Sequence, residues 1–349
     1  MSDDVSAETP RATPATRAAT PAADALRTRM TEQLGIALPI IGGAMYPCSN
    51  PELVAAVSEA GGIGVLQPVS LTYVHGHDFR DGIRYMRTLT QKPLGMNALI
   101  EGNSRVYRER MTKWIAIALE EGVRFFVTSL GKPDWVVRMA EDAGAVVYHD
   151  VTERKWADKA MDSGVHGLIA VNDRAGGHAG PKSAERLLDE LAPLGLPVIC
   201  AGGIGDPQAF ARVMRLGYDG VQLGTRLIAT TECTASDAYK AAIVDAGEDD
   251  VVLSERITGV PLAVIRTPYV ERVGTRAGWF ARRMLKGRRT KHWMRTWFAV
   301  RSAMRLRKAS LDPKATQDYW QAGKSVAGVT EVLSVAEVMA SFAEAARGS

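Results

Sequence analysis

The residues that could do chemistry gather around one histidine. His178 stands in Ala175-Gly176-Gly177-His178-Ala179-Gly180, a run with almost no side-chain bulk. Glycine lets a backbone approach a ligand closely and turn where other residues resist. Imidazole is the side chain best suited to accept a proton near neutral pH. Such a loop can cradle something flat or phosphorylated and set one base beside it. Two more glycine signals follow, Ala201-Gly202-Gly203-Ile204-Gly205-Asp206 and Gln222-Leu223-Gly224-Thr225-Arg226. Each comes directly after an apolar run that reads as a strand. Their recurrence favours an enzyme over a binding module.

The elements that must hold these loops form a regular series. Strand-like runs occur at Pro39–Met45, Ile63–Leu66, Leu94–Leu99, Arg124–Thr128, Ala145–His149, Gly167–Val171, Pro197–Ala201 and Gly220–Leu223. Helical patterns follow most of them, at Pro51–Ala60, Val106–Glu121, Pro133–Ala143, Glu153–Ser163, Ala184–Leu194 and Pro207–Leu216. This is the series an α/β (β/α)8 barrel needs. The strands are apolar throughout, as strands covered on both faces are. A doubly wound sheet would carry its glycine signature after the first strand. Here the glycine loops come late, after strands six, seven and eight, which favours the barrel. Three regions are expected. Residues 1–27 form a disordered Ala/Thr/Pro-rich tail, or alternatively an arginine-bearing transit peptide, against which the acidic start argues. Residues 28–229 form the barrel. Residues 230–349 form a mostly helical segment that closes or flanks the barrel mouth and is not an independent domain.

Barrels often bind phosphate with the loops after strands seven and eight. Gly202, Gly203, Gly224 and Thr225 fall there, where backbone N–H groups and a hydroxyl can meet an anion. A flavin mononucleotide suits such a site, with one phosphate for these loops and a flat ring for the mouth.

Composition sets the outer bounds. Charged residues make up 23% and apolar residues 46% of the chain, the balance of an ordinary globular protein. Cys48, Cys200 and Cys233 are scattered and lack ligand spacing, so neither a disulfide framework nor a metal site is expected, and a reducing, cytoplasmic setting fits. No apolar run is long enough to span a bilayer. The net charge of +4 is concentrated in 282–308, which carries many Arg and Lys and no acid. Trp293, Trp297 and Phe298 are interleaved with those charges. The segment reads as a helix packed on the barrel, as a contact for coenzyme A or an acidic carrier protein, or as a membrane-surface helix. No nucleic-acid-binding module is recognisable.

The ordered set of motifs resembles the nitronate monooxygenase family, also called 2-nitropropane dioxygenase-like proteins. Its carriers are Pro39-Ile40-Ile41-Gly42-Gly43-Ala44-Met45, Ala55-Ala56-Val57-Ser58-Glu59-Ala60-Gly61-Gly62-Ile63-Gly64, Gly95-Met96-Asn97, the three glycine loops above and Tyr319-Trp320-Gln321-Ala322-Gly323. The resemblance runs from about Leu34 to Met339 and implies an FMN-dependent TIM barrel. It implies flavin contacts from Gly43, Ala44, Met45, Asn97, Gly176, Gly177, Gly202, Gly203, Gln222, Gly224 and Thr225. It also implies His178 as the catalytic base and Gln321 as a substrate contact. Two departures stand out. Where family members often carry Gln or Asp seven residues before the histidine, this chain has Val171, and Asn172 or Asp173 is expected to take over. Where some relatives have His-Lys after strand five, this chain has His149-Asp150. Lys132 is a candidate for the missing positive charge, and His149 for a contact at the mouth.

The leading expectation is oxidation of nitronates or nitroalkanes with O2, His178 removing the α-proton as general base where a neutral nitroalkane is used. The alternative is a reductase that draws on NAD(P)H and acts on enoyl thioesters or quinones. In that case His178 orients or protonates the substrate. A non-catalytic flavin-binding barrel is the third reading, and a homodimer is compatible with each.

Overall fold

The computed structural model describes residues 26–100, 105–256, 260–276, 304–312 and 319–348. Eight parallel strands close a barrel in chain order: β1 (Ile40–Gly42), β2 (Ile63–Leu66), β3 (Leu94–Leu99), β4 (Phe125–Ser129), β5 (Val146–Val151), β6 (Gly167–Val171), β7 (Val198–Ala201) and β8 (Gly220–Leu223). The circle closes where Ile41 of β1 lies opposite Gln222 of β8. Helices α1 (Arg29–Leu34), α2 (Pro51–Glu59), α3 (Phe79–Leu89), α4 (Arg105–Glu120), α5 (Asp134–Glu141), α6 (Arg154–Met161), α7 (Ala184–Leu191) and α8 (Pro207–Leu216) precede or alternate with the strands.

Strand alternation sorts side chains into two sets. Ile41, Ile63, Val65, Phe125, Val127, Tyr148, Ile169 and Ile199 fill the inside of the barrel. Ile40, Leu94, Met96, Phe126, Val147, Leu168, Val198, Cys200 and Val221 point outward into the helical shell. Burying a ring such as that of Phe125 contributes about 1.5–3 kcal/mol, and both layers are built of such residues. Close packing dictates residue choice at Gly64, where a Cβ would lie 1.9 Å from the carbonyl oxygen of Val54. Only glycine lets α2 sit so tightly on β2.

The N-terminal end of the barrel is plugged by α1. Thr28 caps that helix in a capping box, and Met30 is fully buried inside the barrel. Gln33 accepts a hydrogen bond from the Tyr148 hydroxyl at 2.7 Å. Arg29 pairs with Asp219 at 2.6 Å, and Asp219 also accepts from the backbone N–H of Val198.

Three parts depart from the sequence reading, and helix α1 is the first, since no helix is expected before Pro51. Helix α3 was not expected. Asp78 caps it, and Phe79, Ile83 and Met86 are buried at helical spacing. Its many arginines disguise that stripe. The segment after residue 230 is also more than helices. Beyond α9 (Thr225–Ile228), it contains α10 (Asp237–Asp245) and α11 (Pro268–Val273), but also an antiparallel pair of strands. Val251–Ser254 pairs with Leu262–Ile265, both rich in β-branched residues. The C-terminal helix Val335–Arg347 packs on the barrel wall, its Phe342 stacked on Phe210 of α8 at 5.4 Å. Most of the basic run 282–308 lies outside the described residues. Its end, 304–308, begins a helix in which Leu306 is buried.

Candidate active site

The C-terminal rim of the barrel gathers polar residues that the interior lacks. On β3, Met96 and Ala98 join the outer layer, so Asn97 faces inward. On β8, Val221 and Leu223 face outward, which turns Gln222 inward. On β5, Val147 and Val151 face the helices while Val146 and Tyr148 face the interior, so Asp150 points inward. His149 therefore faces the helical shell. It is 5% exposed, and its Nδ1 lies 2.8 Å from the Thr128 hydroxyl. The expected mouth contact from His149 is thus corrected to a buried contact behind the strand, and Asp150 occupies the inward position. Counting two residues from the interior Tyr148 would have found it.

Two of these inward groups have no partner. Gln222 Oε1 and Asp150 Oδ1 are both buried and accept no hydrogen bond from a described residue. An unsatisfied buried acceptor costs about 1–3 kcal/mol, so two on one rim mark a place shaped for a ligand. Burial pushes Asp150 up to about 7, because the charged carboxylate loses its solvation there. His149 is pushed down to about 4 by burial, and its ring is neutral at neutral pH.

The loops above this rim are tied together. In the loop after β6, Gly177 has φ +71°, and its carbonyl accepts from the N–H of Ala263 at 2.8 Å. A Cβ on Gly176 would lie 3.0 Å from the nitrogen of Gly323, so two glycines from distant parts of the chain meet face to face. Gly323 in turn donates its N–H to Thr225 Oγ1 at 2.9 Å. The threonine oxygen accepts there, which leaves its own proton able to donate. Gly202 adopts φ +118°, and a Cβ on it would lie 2.3 Å from Asn172 Oδ1. After β1, Gly43 donates to the carbonyl of Leu223 at 2.8 Å, and Met45 approaches Gly224. Ala44 packs against the interior cluster.

His178 is exposed to solvent at the rim yet crowded by protein atoms. That desolvation lowers its pKa below the ordinary imidazole value. Gln321 is half-buried, and its backbone carbonyl accepts from the Tyr239 hydroxyl. Tyr239 stacks on Trp320 at 5.7 Å, which fixes this segment beside the loop that bears His178.

Other expected residues take different positions. Asn172 is wholly buried and has no surface to offer a ligand. Its amide donates to the carbonyl of Gly202 at 3.0 Å and accepts from the N–H of Arg174 at 2.9 Å. It braces two glycine loops instead of replacing a flavin contact. Asp173 is exposed, and Val171 lies half-buried against the interior cluster. Lys132 is exposed on the turn after β4. The sequence reading missed Arg174. Its guanidinium makes two 2.7 Å hydrogen bonds to Glu248. Lys324 reaches the same carboxylate at 3.3 Å and donates its backbone N–H to the carbonyl of Arg174. Its place four residues before His178 was the available signal.

These residues fit a flavin nucleotide. The glycine loops after β6, β7 and β8 converge at this rim, packed so closely that a Cβ at Gly176 would meet Gly323 and one at Gly202 would meet Asn172 and Ala175. The orphaned acceptors lie beneath it and suit the N–H edge of a flat heterocycle. Among the described residues no cluster of metal-ligating side chains occurs, and no helix is long and apolar enough to cross a membrane.

Comparison with known proteins agrees with this architecture. The family model described as nitronate monooxygenase matches residues 27–345. The chain is similar to the 5-hydroxy-7a-methyl-1-oxo-octahydro-1H-indene-4-carboxyl-CoA dehydrogenase of Mycobacterium tuberculosis. The two are 33% identical over 73% of this chain and 71% of that protein. It is 28% identical to a probable nitronate monooxygenase of Staphylococcus saprophyticus, over 71% of this chain and 81% of that one. Among solved structures, FabK from Thermotoga maritima superposes with a TM-score of 0.76 at 27% identity, covering 92% of this chain and 96% of the other.

Proposed function

The chain belongs to the nitronate monooxygenase family, a family of oxidoreductases, and from that premise we propose that it is an FMN-dependent oxidoreductase acting on an acyl thioester, with His178 handling the proton at the reacting carbon. The observation that carries this reading is a solvent-accessible histidine of lowered pKa on a glycine loop above two orphaned buried acceptors. The backbone of Gly202, Gly203 and Gly224 and the Thr225 hydroxyl would hold the flavin phosphate. Gly43, Ala44, Met45, Gly176 and Gly177 would border the nucleotide, with Asn97, Asp150 and Gln222 beneath its ring. The bound flavin supplies the two-electron redox chemistry.

The chain's own residues bind, orient and move one proton. With its pKa below the ordinary value, His178 is neutral at neutral pH and its free ring nitrogen accepts a proton from carbon. In the opposite direction the imidazolium returns that proton. Gln321, on the segment fixed by Tyr239, would border the substrate. Pushed up to about 7, Asp150 is only partly ionised at neutral pH, and its protonated form can donate a hydrogen bond.

A thioester is preferred because the relative at 33% identity bears the name of a carboxyl-CoA dehydrogenase. A second reading, nitronate oxidation with O2, is favoured by the relative at 28% identity. An acyl thioester and a neutral nitroalkane both carry an acidic α-carbon, so the same base serves either, whereas a nitronate arrives already deprotonated. The test begins with the purified protein, which should be yellow and release FMN on denaturation. Anaerobic mixing with NADPH, with acyl and enoyl thioesters of coenzyme A, and with alkyl nitronates then follows flavin bleaching. Bleaching by an acyl thioester, or reoxidation of NADPH-reduced flavin by an enoyl thioester, supports the first reading. A response to nitronates alone replaces it with the second, and a colourless protein that cannot take up FMN removes both.

A further inference from the structure

Beside the mouth lies a groove of about 400 Å³ whose lining has, Gly203 apart, no part in the flavin site. Arg174, Arg212, Arg215 and Lys324 line it, together with Gly203 and Asp206. This is the size range of small-molecule sites. Helix α8 supplies Arg212 and Arg215, three residues apart and exposed on one face. The loop that bears His178 supplies Arg174, and the segment that carries Gln321 supplies Lys324.

The charges do not cancel within the groove. Glu248 engages Arg174 and Lys324. Asp206 spends one oxygen on the N–H of Ala209 as the cap of α8. Glu185 feels the field of Arg212 and Arg174, but among the described residues no ion pair takes up Arg212 or Arg215. Arg174 Nε adds an independent sign of a ligand. That atom is buried without a partner, and the Arg174 side chain lies alongside Gly203, where a Cβ would come 2.7 Å from Nε. A buried guanidinium N–H left unpaired is a donor set for an anion.

We propose that this groove binds the adenosine diphosphate handle shared by coenzyme A and the nicotinamide dinucleotides, and anchors it next to the mouth. Two adjacent phosphates match two arginines on one helix face, because guanidinium groups bind phosphate oxygens in pairs. Gly203 borders the groove on one side and belongs to the rim loop on the other, so the handle and the reacting end are held by one continuous surface. Binding energy from a part of the substrate that does not react then positions the part that does. The proposal rests on the mouth being the flavin site, and its test is separable from that reading.

The test uses the holoenzyme and an Arg212→Glu/Arg215→Glu variant, titrated calorimetrically with coenzyme A, NADPH and ADP. Reversing both charges should weaken ADP by about tenfold or more, with flavin content unchanged. An equal loss for coenzyme A alone assigns the handle to the substrate. A loss for NADPH alone assigns it to the electron donor, and a loss for both makes the groove a shared anchor. Arg212→Lys/Arg215→Lys should restore only part of the affinity, because an ammonium keeps the charge but cannot bind phosphate oxygens in pairs, and raising the ionic strength should weaken binding to the native protein. The proposal is overturned if all three ligands bind the variant as they bind the native protein, or if the variant loses its flavin. Should the protein prove colourless, the ADP titration still tests the groove while the flavin reading alone fails.

Discussion

The two ends of the barrel are built on opposite terms. At the N-terminal end Met30 is fully buried, the Tyr148 hydroxyl meets Gln33, and the Asp219 carboxylate is shared between Arg29 and the N–H of Val198. At the C-terminal end Gln222 and Asp150 keep buried oxygens without partners, and Gly176 and Gly202 let the loops of the mouth pack against one another. One end is saturated, and the other holds its polar capacity in reserve. The contrast teaches where stability and chemistry are separately stored in one closed sheet.

Three changes would break or sharpen that contrast. The largest effect is expected at His178. His178→Ala should lower turnover by about 100- to 10,000-fold while flavin content and melting temperature stay near those of the native protein. In the native protein the neutral base is lost as pH falls through the lowered His178 pKa, so the acid limb of the rate profile should lie below the ordinary imidazole value of 6.5. A rate profile whose limb survives in His178→Ala would assign the base elsewhere. Met30→Ala is the mirror experiment. It should cost about 2–5 kcal/mol of stability in a denaturant titration, with the activity of the folded fraction unchanged. A comparable loss of activity would mean that the plug and the rim are coupled. The smallest effect is expected at Asp150. A buried acid whose folded pKa is raised contributes stability below its unfolded pKa and loses it as pH rises through about 7. Asp150→Asn should therefore raise the melting temperature of the flavin-free protein more at pH 8 than at pH 4. Equal shifts at both pH values would show that Asp150 is not buried as a neutral acid.

Much of this was legible in the residues alone, and the reasons are physical. The eight strands are short apolar runs because both of their faces are covered, and a pattern of that kind survives without knowledge of neighbours. The loop around His178 was visible because three glycines near one histidine leave few structural explanations. The orientation of His149 was harder, since one position along a strand reverses the face. The run ended on that residue by hydropathy, yet β5 continues to Val151. Helix α3 hid behind Arg80, Arg84 and Arg87, which mask the stripe of Phe79, Ile83 and Met86. The contact of Gly176 with Gly323 and the pairing of Arg174 with Glu248 join residues far apart in the chain, and no local pattern encodes them.

The meeting of Gly176 and Gly323 has a consequence for biosynthesis. Residues 319–324 complete the wall beside His178 through the N–H of Gly323 on Thr225, the N–H of Lys324 on Arg174 and the N–H of Ile265 on the carbonyl of Trp320. All eight strands leave the ribosome well before that piece does. A chain cut before residue 319 would thus own every strand of the barrel and still lack the wall beside His178.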